Sequence, residues 1–157
     1  IQGEGRYSCG TLSKAFGGHG GIIAGSQQLI DRVKLTGASP VPLGAAAASA
    51  KALDLVMHKP EMRKQLWDNA TYAKHGFRAL GFTDIPDTLV PIICLSVEGI
   101  DLEVVQQKLF SKGIAVLYVP GGSYTSAPAQ GAIRVAIFST HTHVQIDRLV
   151  AEVSNLI

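Results

Sequence analysis

The chain has 157 residues, of which 46% are hydrophobic and 17% charged, a composition typical of one globular domain or of a large piece of a longer protein. Its formal net charge of +2, with no Lys/Arg run longer than two residues, excludes the basic footprint of a nucleic-acid-binding protein. The two cysteines, Cys9 and Cys94, lie far apart in apolar surroundings, which excludes a disulfide scaffold and a cysteine-rich zinc module.

The first third of the chain alternates turn-forming and regular stretches. Residues 14–21 are rich in glycine and predict a tight turn, because glycine reaches backbone conformations that other residues avoid. Ser26 is placed to cap a helix, and an alanine-rich run after a pair of prolines favours a second one. The patterns predict a strand, a buried strand and two helices, at residues 6–13, 21–25, 27–35 and 41–57.

The rest of the chain begins with a long predicted helix over residues 60–80, which Pro60 fits as a first-turn residue and Gly81 ends. Further on, Thr142 and Gln145 resemble a capping box at the start of the last helix. The patterns predict strands at residues 89–97, 114–119 and 132–138 and helices at residues 101–112 and 143–156. This β-α-β-β-α order predicts a small sandwich of the α+β kind, with Cys94 as an inert core residue of its first strand.

The stretch with the clearest chemistry is Gly10-Thr-Leu-Ser-Lys-Ala-Phe-Gly-Gly18. A lysine between a strand end and a glycine-rich turn is poor core material, and burial would lower its pKa, as a Schiff-base lysine requires. The hydroxyls of Thr11 and Ser13 flank Lys14 and can bind phosphate oxygens. The adjoining glycines let backbone N–H groups approach an anion. The residues alone leave open that Lys14 is an ordinary surface lysine in a loop.

The segment TLSKAFGGHGGIIAG, residues 11–25, resembles the cofactor-lysine segment of fold-type I pyridoxal-phosphate enzymes. It is most similar to the α-oxoamine synthase group, which includes the glycine C-acetyltransferases and the 8-amino-7-oxononanoate synthases. The resemblance continues in the alanine-rich helix and through the last strand and helix, at Ser39-Pro40, Ile133-Arg134-Val135, His141-Thr142 and Ile146-Asp147-Arg148-Leu149. It therefore runs in order through nearly the whole chain.

The resemblance implies a role for five side chains. Lys14 would form the Schiff base with pyridoxal 5'-phosphate and move the proton at the substrate α-carbon. Thr11 would contact the cofactor phosphate, with the adjacent Ser13 as a further candidate, and Thr36 lies near the position that supplies a phosphate hydroxyl across a dimer interface. Arg134 would hold the carboxylate of an amino acid, because its fork of donors suits a carboxylate. An ion pair between domains is the alternative for Arg134.

The resemblance also implies an α/β architecture. Residues 1–58 would be the end of the cofactor-binding large domain, residues 59–81 a connecting helix, and residues 82–157 a small α+β C-terminal subdomain. In this family an Asp that pairs with the pyridine nitrogen and a side chain that stacks on the ring both precede the lysine segment. We therefore expect the chain to be the C-terminal part of a longer transferase, a homodimer that condenses a small amino acid with an acyl-CoA.

Two alternatives stay open. Residues 114–136, which include Pro-Gly-Gly-Ser-Tyr, resemble the ending of class I and II aminotransferases. In that alternative the reaction is amino transfer, and a keto acid is released. The other alternative is a truncated, non-catalytic folded module.

A metal site and a membrane span are not predicted. His141 and His143 have no third ligand nearby in the sequence, which favours a polar helix start over zinc. The chain has no apolar run of about 18 residues, and we expect a cytoplasmic location.

Overall fold

A computed structural model describes residues 7–37, 39–122 and 127–157 of the chain, which form two compact units, Ile1–Pro60 and Glu61–Ile157. Arg6, Ser123 and Tyr124, which belong to the predicted first strand and to the aminotransferase-like ending, lie outside the described residues. The first unit contains β1 (Ser8–Thr11), β2 (Gly21–Ala24), α1 (Gln27–Leu35) and α2 (Leu43–His58). All four elements are of the predicted type, and α1 has the predicted bounds.

The strands of the first unit form a two-stranded antiparallel sheet, in which Ser8 lies opposite Ala24 and Thr11 opposite Gly21. Every residue of both strands is exposed, and Ile22 is exposed to 57%. The prediction of a buried strand at residues 21–25 is therefore wrong about burial. The apolar run does form a strand, but a sheet of two strands has no further layer of this unit over its faces.

The second unit contains α3 (Pro60–Ala79), β3 (Ile92–Leu95), α4 (Leu102–Ser111), β4 (Leu117–Val119), β5 (Ala132–Ala136) and α5 (His143–Ser154). The predicted β-α-β-β-α order after the long helix is confirmed. The three strands form one antiparallel sheet in the order β3-β5-β4, so the last strand in sequence is the central one. The whole chain is thus of mixed α and β structure.

One face of this sheet carries the core of the second unit. Alternate residues of β3 and β5 point inward, and Ile93 lies opposite Val135 while Leu95 lies opposite Ile133. The helices contribute buried stripes at three- and four-residue spacing: Ala70, Ala73 and Phe77 of α3, Leu102, Val105 and Leu109 of α4, and Ile146, Leu149 and Val153 of α5. Cys94 points to the opposite face and is exposed, as is Cys9, so the predicted inert core position of Cys94 is wrong.

The strands of the second unit are shorter than predicted. Residues next to β4 and β5 form backbone hydrogen bonds with other parts of the unit instead of with a neighbouring strand. Ile114 donates its N–H to Leu109 O and so still belongs to the end of α4, which delays the start of β4. The Nδ2 of Asn69, a fully buried residue of α3, donates to Phe138 O at 3.0 Å and to His141 O at 2.7 Å, beyond the end of β5. The predicted capping box of Thr142 and Gln145 is confirmed at the start of α5.

Two cations of α3 hold the loop of residues 80–91 that leads to β3. Lys74 is only 2% exposed, and its Nζ donates to Pro86 O and Thr88 Oγ1, both at 3.4 Å, and to Thr88 O. Arg78 donates to Ile85 O at 3.0 Å. Burial lowers the pKa of Lys74 from its ordinary value, and the positive charge of Arg78 lowers it further.

The described residues contain no helix that is both long enough and apolar enough to cross a membrane. In the same part of the chain, no group of three or more His, Cys, Asp or Glu side chains is arranged to bind a metal ion.

The lowered pKa of Lys74 predicts a pH-dependent stability. Between that lowered pKa and the ordinary value of 10.5, the unfolded chain holds more protons on this lysine than the folded chain. The free energy of unfolding should therefore rise with pH in this window, with a slope below the one-proton limit of about 1.4 kcal/mol per pH unit. Urea denaturation from pH 7 to 10, followed by fluorescence of the single tryptophan, Trp67, would measure the slope.

Tyr72 has the opposite effect on how the free energy of unfolding changes with pH. The slope is therefore compared between the wild type and variants. The hydrogen bond from Tyr72 to Asp147 raises the pKa of the phenol, and the stability that it contributes is lost as pH rises above about 10. Lys74→Met should have a smaller slope than the wild type, whereas Lys64→Met, which removes an exposed lysine paired with Asp68, should keep the wild-type slope. Equal slopes in all three proteins would refute a lowered pKa at Lys74.

Candidate functional site

The glycine-rich segment folds into a closed loop at the ends of β1 and β2. The N–H of Leu12 donates to Gly20 O at 2.9 Å, and the N–H of Gly18 donates to Leu12 O at 2.8 Å. Gly17 and Gly20 have φ values of +56° and +88°, which are strained for other residues. The predicted tight turn is therefore confirmed, and its backbone fixes the position of Lys14 between two strands.

A pair of hydroxyls lies beside Lys14 in this loop. The Oγ atoms of Thr11 and Ser13 are 2.7 Å apart, and the backbone N–H of Ser13 donates to Thr11 Oγ1 at 3.1 Å. Both residues are exposed. The loop thus presents one amine and two hydroxyls to solvent within four residues, a donor set that fits a ligand carrying an aldehyde and a phosphate group.

Lys14 itself is exposed, and its side chain makes no hydrogen bond or ion pair with a described residue. The exposed position agrees with the alternative that the residues left open, a surface lysine in a loop, and the role of Lys14 in a Schiff base stays a prediction. The reason for the exposure is local: Lys14 lies at the tip of the loop, and the two-stranded sheet behind it has no layer over it. Desolvation of the Lys14 amine would have to come from a ligand or from another polypeptide.

The loop packs closely on α2 at Gly18, a contact that sequence reasoning did not find. A Cβ placed on Gly18 would lie 1.9 Å from Ser49 Oγ and 3.3 Å from Ala45 O, so a larger residue there requires Ser49 or the loop to move. Ser49 is the one buried residue of α2, and its hydroxyl has no hydrogen-bond partner among the described residues. A serine inside a run of alanines was the only signal for this contact in the sequence.

Thr36 does not share the hydroxyl pair's loop. It caps the C-terminus of α1, and its Oγ1 donates to Val33 O at 2.9 Å. The hydroxyl proton of Thr36 is therefore used in a hydrogen bond within the helix, but its oxygen can still accept a hydrogen bond from another group. Thr36 is exposed, but no described hydrogen bond links it to the residues around Lys14.

Arg134 belongs to the second unit, at the middle of the central strand. Cys94 of β3 and Leu117 of β4 lie directly opposite it on the two neighbouring strands, so all three side chains share the outer face of the sheet. Arg134 is half-buried, and its guanidinium makes no hydrogen bond or ion pair with a described residue. The fork of donors therefore has no anionic partner among the described residues of the second unit, and the role of Arg134 stays a prediction.

Comparisons with known proteins place these observations in a family. A family model described as aminotransferase class I and II matches residues 3–153. The chain is 33% identical over 157 residues to a putative 8-amino-7-oxononanoate synthase of Rippkaea orientalis, a match that covers 94% of this chain and 39% of the relative. It is 35% identical over 148 residues to a serine palmitoyltransferase of Bacteroides ovatus, covering 90% of this chain and 36% of the relative.

The fold of the chain is similar to part of a solved serine palmitoyltransferase structure. A serine palmitoyltransferase from S. paucimobilis, solved with a bound PLP–myriocin aldimine, superimposes with a TM-score of 0.79 at 22% identity. The alignment covers 96% of this chain and 39% of that one. The chain therefore spans about two fifths of the length of the relatives that it matches. The resemblance to α-oxoamine synthases, inferred from the lysine segment, is confirmed.

The contact between Gly18 and Ser49 predicts how the lysine loop responds to an added methyl group. Gly18→Ala should push the loop away from α2, an overpacking that destabilises by about 1–3 kcal/mol. The amides of Leu12 and Gly17, which donate to Gly20 O and Lys14 O within the loop, should then exchange with solvent deuterium about tenfold faster or more. Hydrogen-exchange mass spectrometry or NMR would measure the rates.

A compensating variant separates this contact from a general loss of structure. Ser49→Gly removes the two closest atoms, Oγ and Cβ, so Gly18→Ala/Ser49→Gly should exchange more slowly than Gly18→Ala alone. Gly44→Ala is the matched control, because a Cβ at Gly44 has no neighbour within 4 Å. Loop amides that exchange equally fast with and without Ser49→Gly would contradict the proposed clash.

Proposed function

Because the chain belongs to the aminotransferase class I and II family, we propose that it is the C-terminal part of a pyridoxal-phosphate-dependent transferase that joins a small amino acid to an acyl-CoA. The observation that carries the proposal is the loop that presents Lys14 together with the hydroxyl pair of Thr11 and Ser13. The acyl-CoA substrate is supported by the relatives, which are 8-amino-7-oxononanoate synthases and serine palmitoyltransferases.

Each candidate residue has a role that its chemistry supports. Lys14 would hold the cofactor covalently through its amine, and when free the same amine would accept the proton from the substrate α-carbon. Thr11 and Ser13 donate hydrogen bonds to phosphate oxygens, and Thr36 is the weaker candidate for a third hydroxyl. Arg134 binds and orients the amino-acid carboxylate. When bound, pyridoxal phosphate supplies an electron sink for the charge that develops at the α-carbon.

The same proposal divides the chain into two domains and a helix that connects them. Residues 1–58 would be the end of a cofactor-binding domain, residues 59–81 the connecting helix and residues 82–157 the small subdomain. The exposed apolar side chains of the first unit support a larger domain or a homodimer around it: Leu43 is exposed to 90%, and the faces of β1 and β2 are uncovered.

An aminotransferase is the second candidate. The matched family model bears that name, and the sequence of residues 114–136 resembles the ending of class I and II aminotransferases. In this case Lys14 would still move the proton, and the product that leaves would be a keto acid. Release of free CoA thiol in the presence of glycine and acetyl-CoA would support acyl transfer, whereas formation of a keto acid without CoA would support amino transfer.

The proposal predicts that Lys14 is selectively modified. The chain is incubated with pyridoxal phosphate and reduced with borohydride, and the modified peptide is identified by mass spectrometry. The reduced adduct should lie on Lys14 and should be lost in Lys14→Ala. Lys34→Ala, which removes another exposed lysine of the same unit, should leave the adduct unchanged.

The hydroxyl pair predicts a change in affinity. Thr11→Ala/Ser13→Ala removes two hydrogen bonds to a charged group, so the cofactor concentration needed for half-modification of Lys14 should rise about tenfold or more. Adduct spread evenly over the surface lysines, or a Lys14 adduct with unchanged affinity in this double variant, would contradict the assignment of the loop.

A further inference from the structure

A cleft of about 520 Å³ opens on the sheet of the second unit beside Cys94. Cys94 of β3, Ser96 just after the end of β3 and Ala132 of β5 line it, and we refer to it as the Cys94 cleft. Cys94 lies directly opposite Arg134 across the strands, and Ala132 precedes Arg134 by two residues on the same side of β5. The cleft therefore begins at residues that neighbour Arg134 on the sheet, and Arg134 itself does not line it.

The lining of the Cys94 cleft is mainly apolar. Beyond the strands, its walls include Phe82, Val97 and Ile157. Among the described residues that line it, no Lys, Arg or His is present, and Asp84 is the one charged side chain. Thr83 and Ser96 add two hydroxyl side chains to the lining. A chain that enters the cleft therefore meets mostly hydrocarbon, together with two hydroxyls and one negative charge.

The size of the cleft also restricts its occupant. Its volume lies in the range of about 300–1,000 Å³ that small-molecule sites have, and it exceeds the need of a small amino acid's side chain. An unbranched hydrocarbon chain suits such a space, since each buried methylene strengthens binding about fourfold.

We propose that the Cys94 cleft binds the hydrocarbon part of the acyl-CoA and that Asp84 selects against acyl chains that end in a carboxylate. This inference rests on the proposed function, in which the amino acid is held at Arg134 and its acyl partner must lie beside it. The substrate class that follows is an acyl-CoA with an uncharged aliphatic chain of medium length. A terminal carboxylate would meet the charge of Asp84 with no cation among the described lining residues to compensate it.

The thiol of Cys94 reports directly on occupancy of the cleft. Cys94 is exposed and so is Cys9, so Cys9→Ser isolates the signal of Cys94. In this variant, the rate of alkylation of Cys94 by iodoacetamide is measured with octanoyl-CoA, with 7-carboxyheptanoyl-CoA and with CoA alone. Octanoyl-CoA should slow alkylation at least fivefold, and the other two compounds less than twofold.

Two further variants test the residues that define the cleft. Asp84→Asn should let 7-carboxyheptanoyl-CoA protect Cys94 nearly as well as octanoyl-CoA does. Thr83→Trp, at an exposed position that lines the cleft, should remove the protection by octanoyl-CoA. Thr140→Trp is the matched control at an exposed position outside the cleft and should keep the protection.

Two results would overturn the inference. One is alkylation that octanoyl-CoA does not slow, and the other is equal protection by the two acyl chains with Asp84 in place. Protection by free leucine rather than by octanoyl-CoA would also overturn it and would assign the cleft to an amino-acid side chain. The borohydride adduct on Lys14 is read independently: an adduct without protection of Cys94 rejects the cleft alone, and protection without an adduct rejects the role of Lys14.

Discussion

The alternation of side chains along β5 is the constraint on which the second unit depends. Ile133 and Val135 point into the core, and because side chains alternate at every residue, Arg134 between them must point outward. A slip of one residue in the pairing would exchange the two sets and bury a guanidinium without a partner. The packing of the core thus places Arg134 on the outer face of the sheet, and no further interaction is needed for this.

The first unit shows the opposite situation, in which local geometry is well defined but little is buried. Backbone hydrogen bonds and two glycines with positive φ close the lysine loop, and the contact of Gly18 with Ser49 holds it on α2. A two-stranded sheet alone is marginally stable in water. The apolar surface left uncovered around it agrees with a chain that spans about two fifths of its relatives.

The buried lysine of α3 shows how a charge can serve the fold rather than the chemistry. Lys74 satisfies its N–H groups with oxygens of the loop before β3, as a buried ammonium must, and Arg78 reaches the same loop. Together they hold residues 80–91 against α3, and this loop supplies Phe82 and Asp84 to the Cys94 cleft. The most deeply buried lysine among the described residues is therefore not the one that the motif singles out.

The sequence by itself determined the type and order of every described element, the capping box of α5 and the grouping of Lys14 with Thr11 and Ser13, because these depend on residues close together in the chain. It also indicated the family, through a lysine segment whose residue types serve one chemistry. Only the tertiary structure decided burial: it exposed Ile22 and Cys94, which apolar neighbours had suggested were inside, and it buried Lys74. Burial depends on which layers cover a strand, and the pairing of Cys94, Arg134 and Leu117 joins residues far apart in sequence, so neither follows from local pattern.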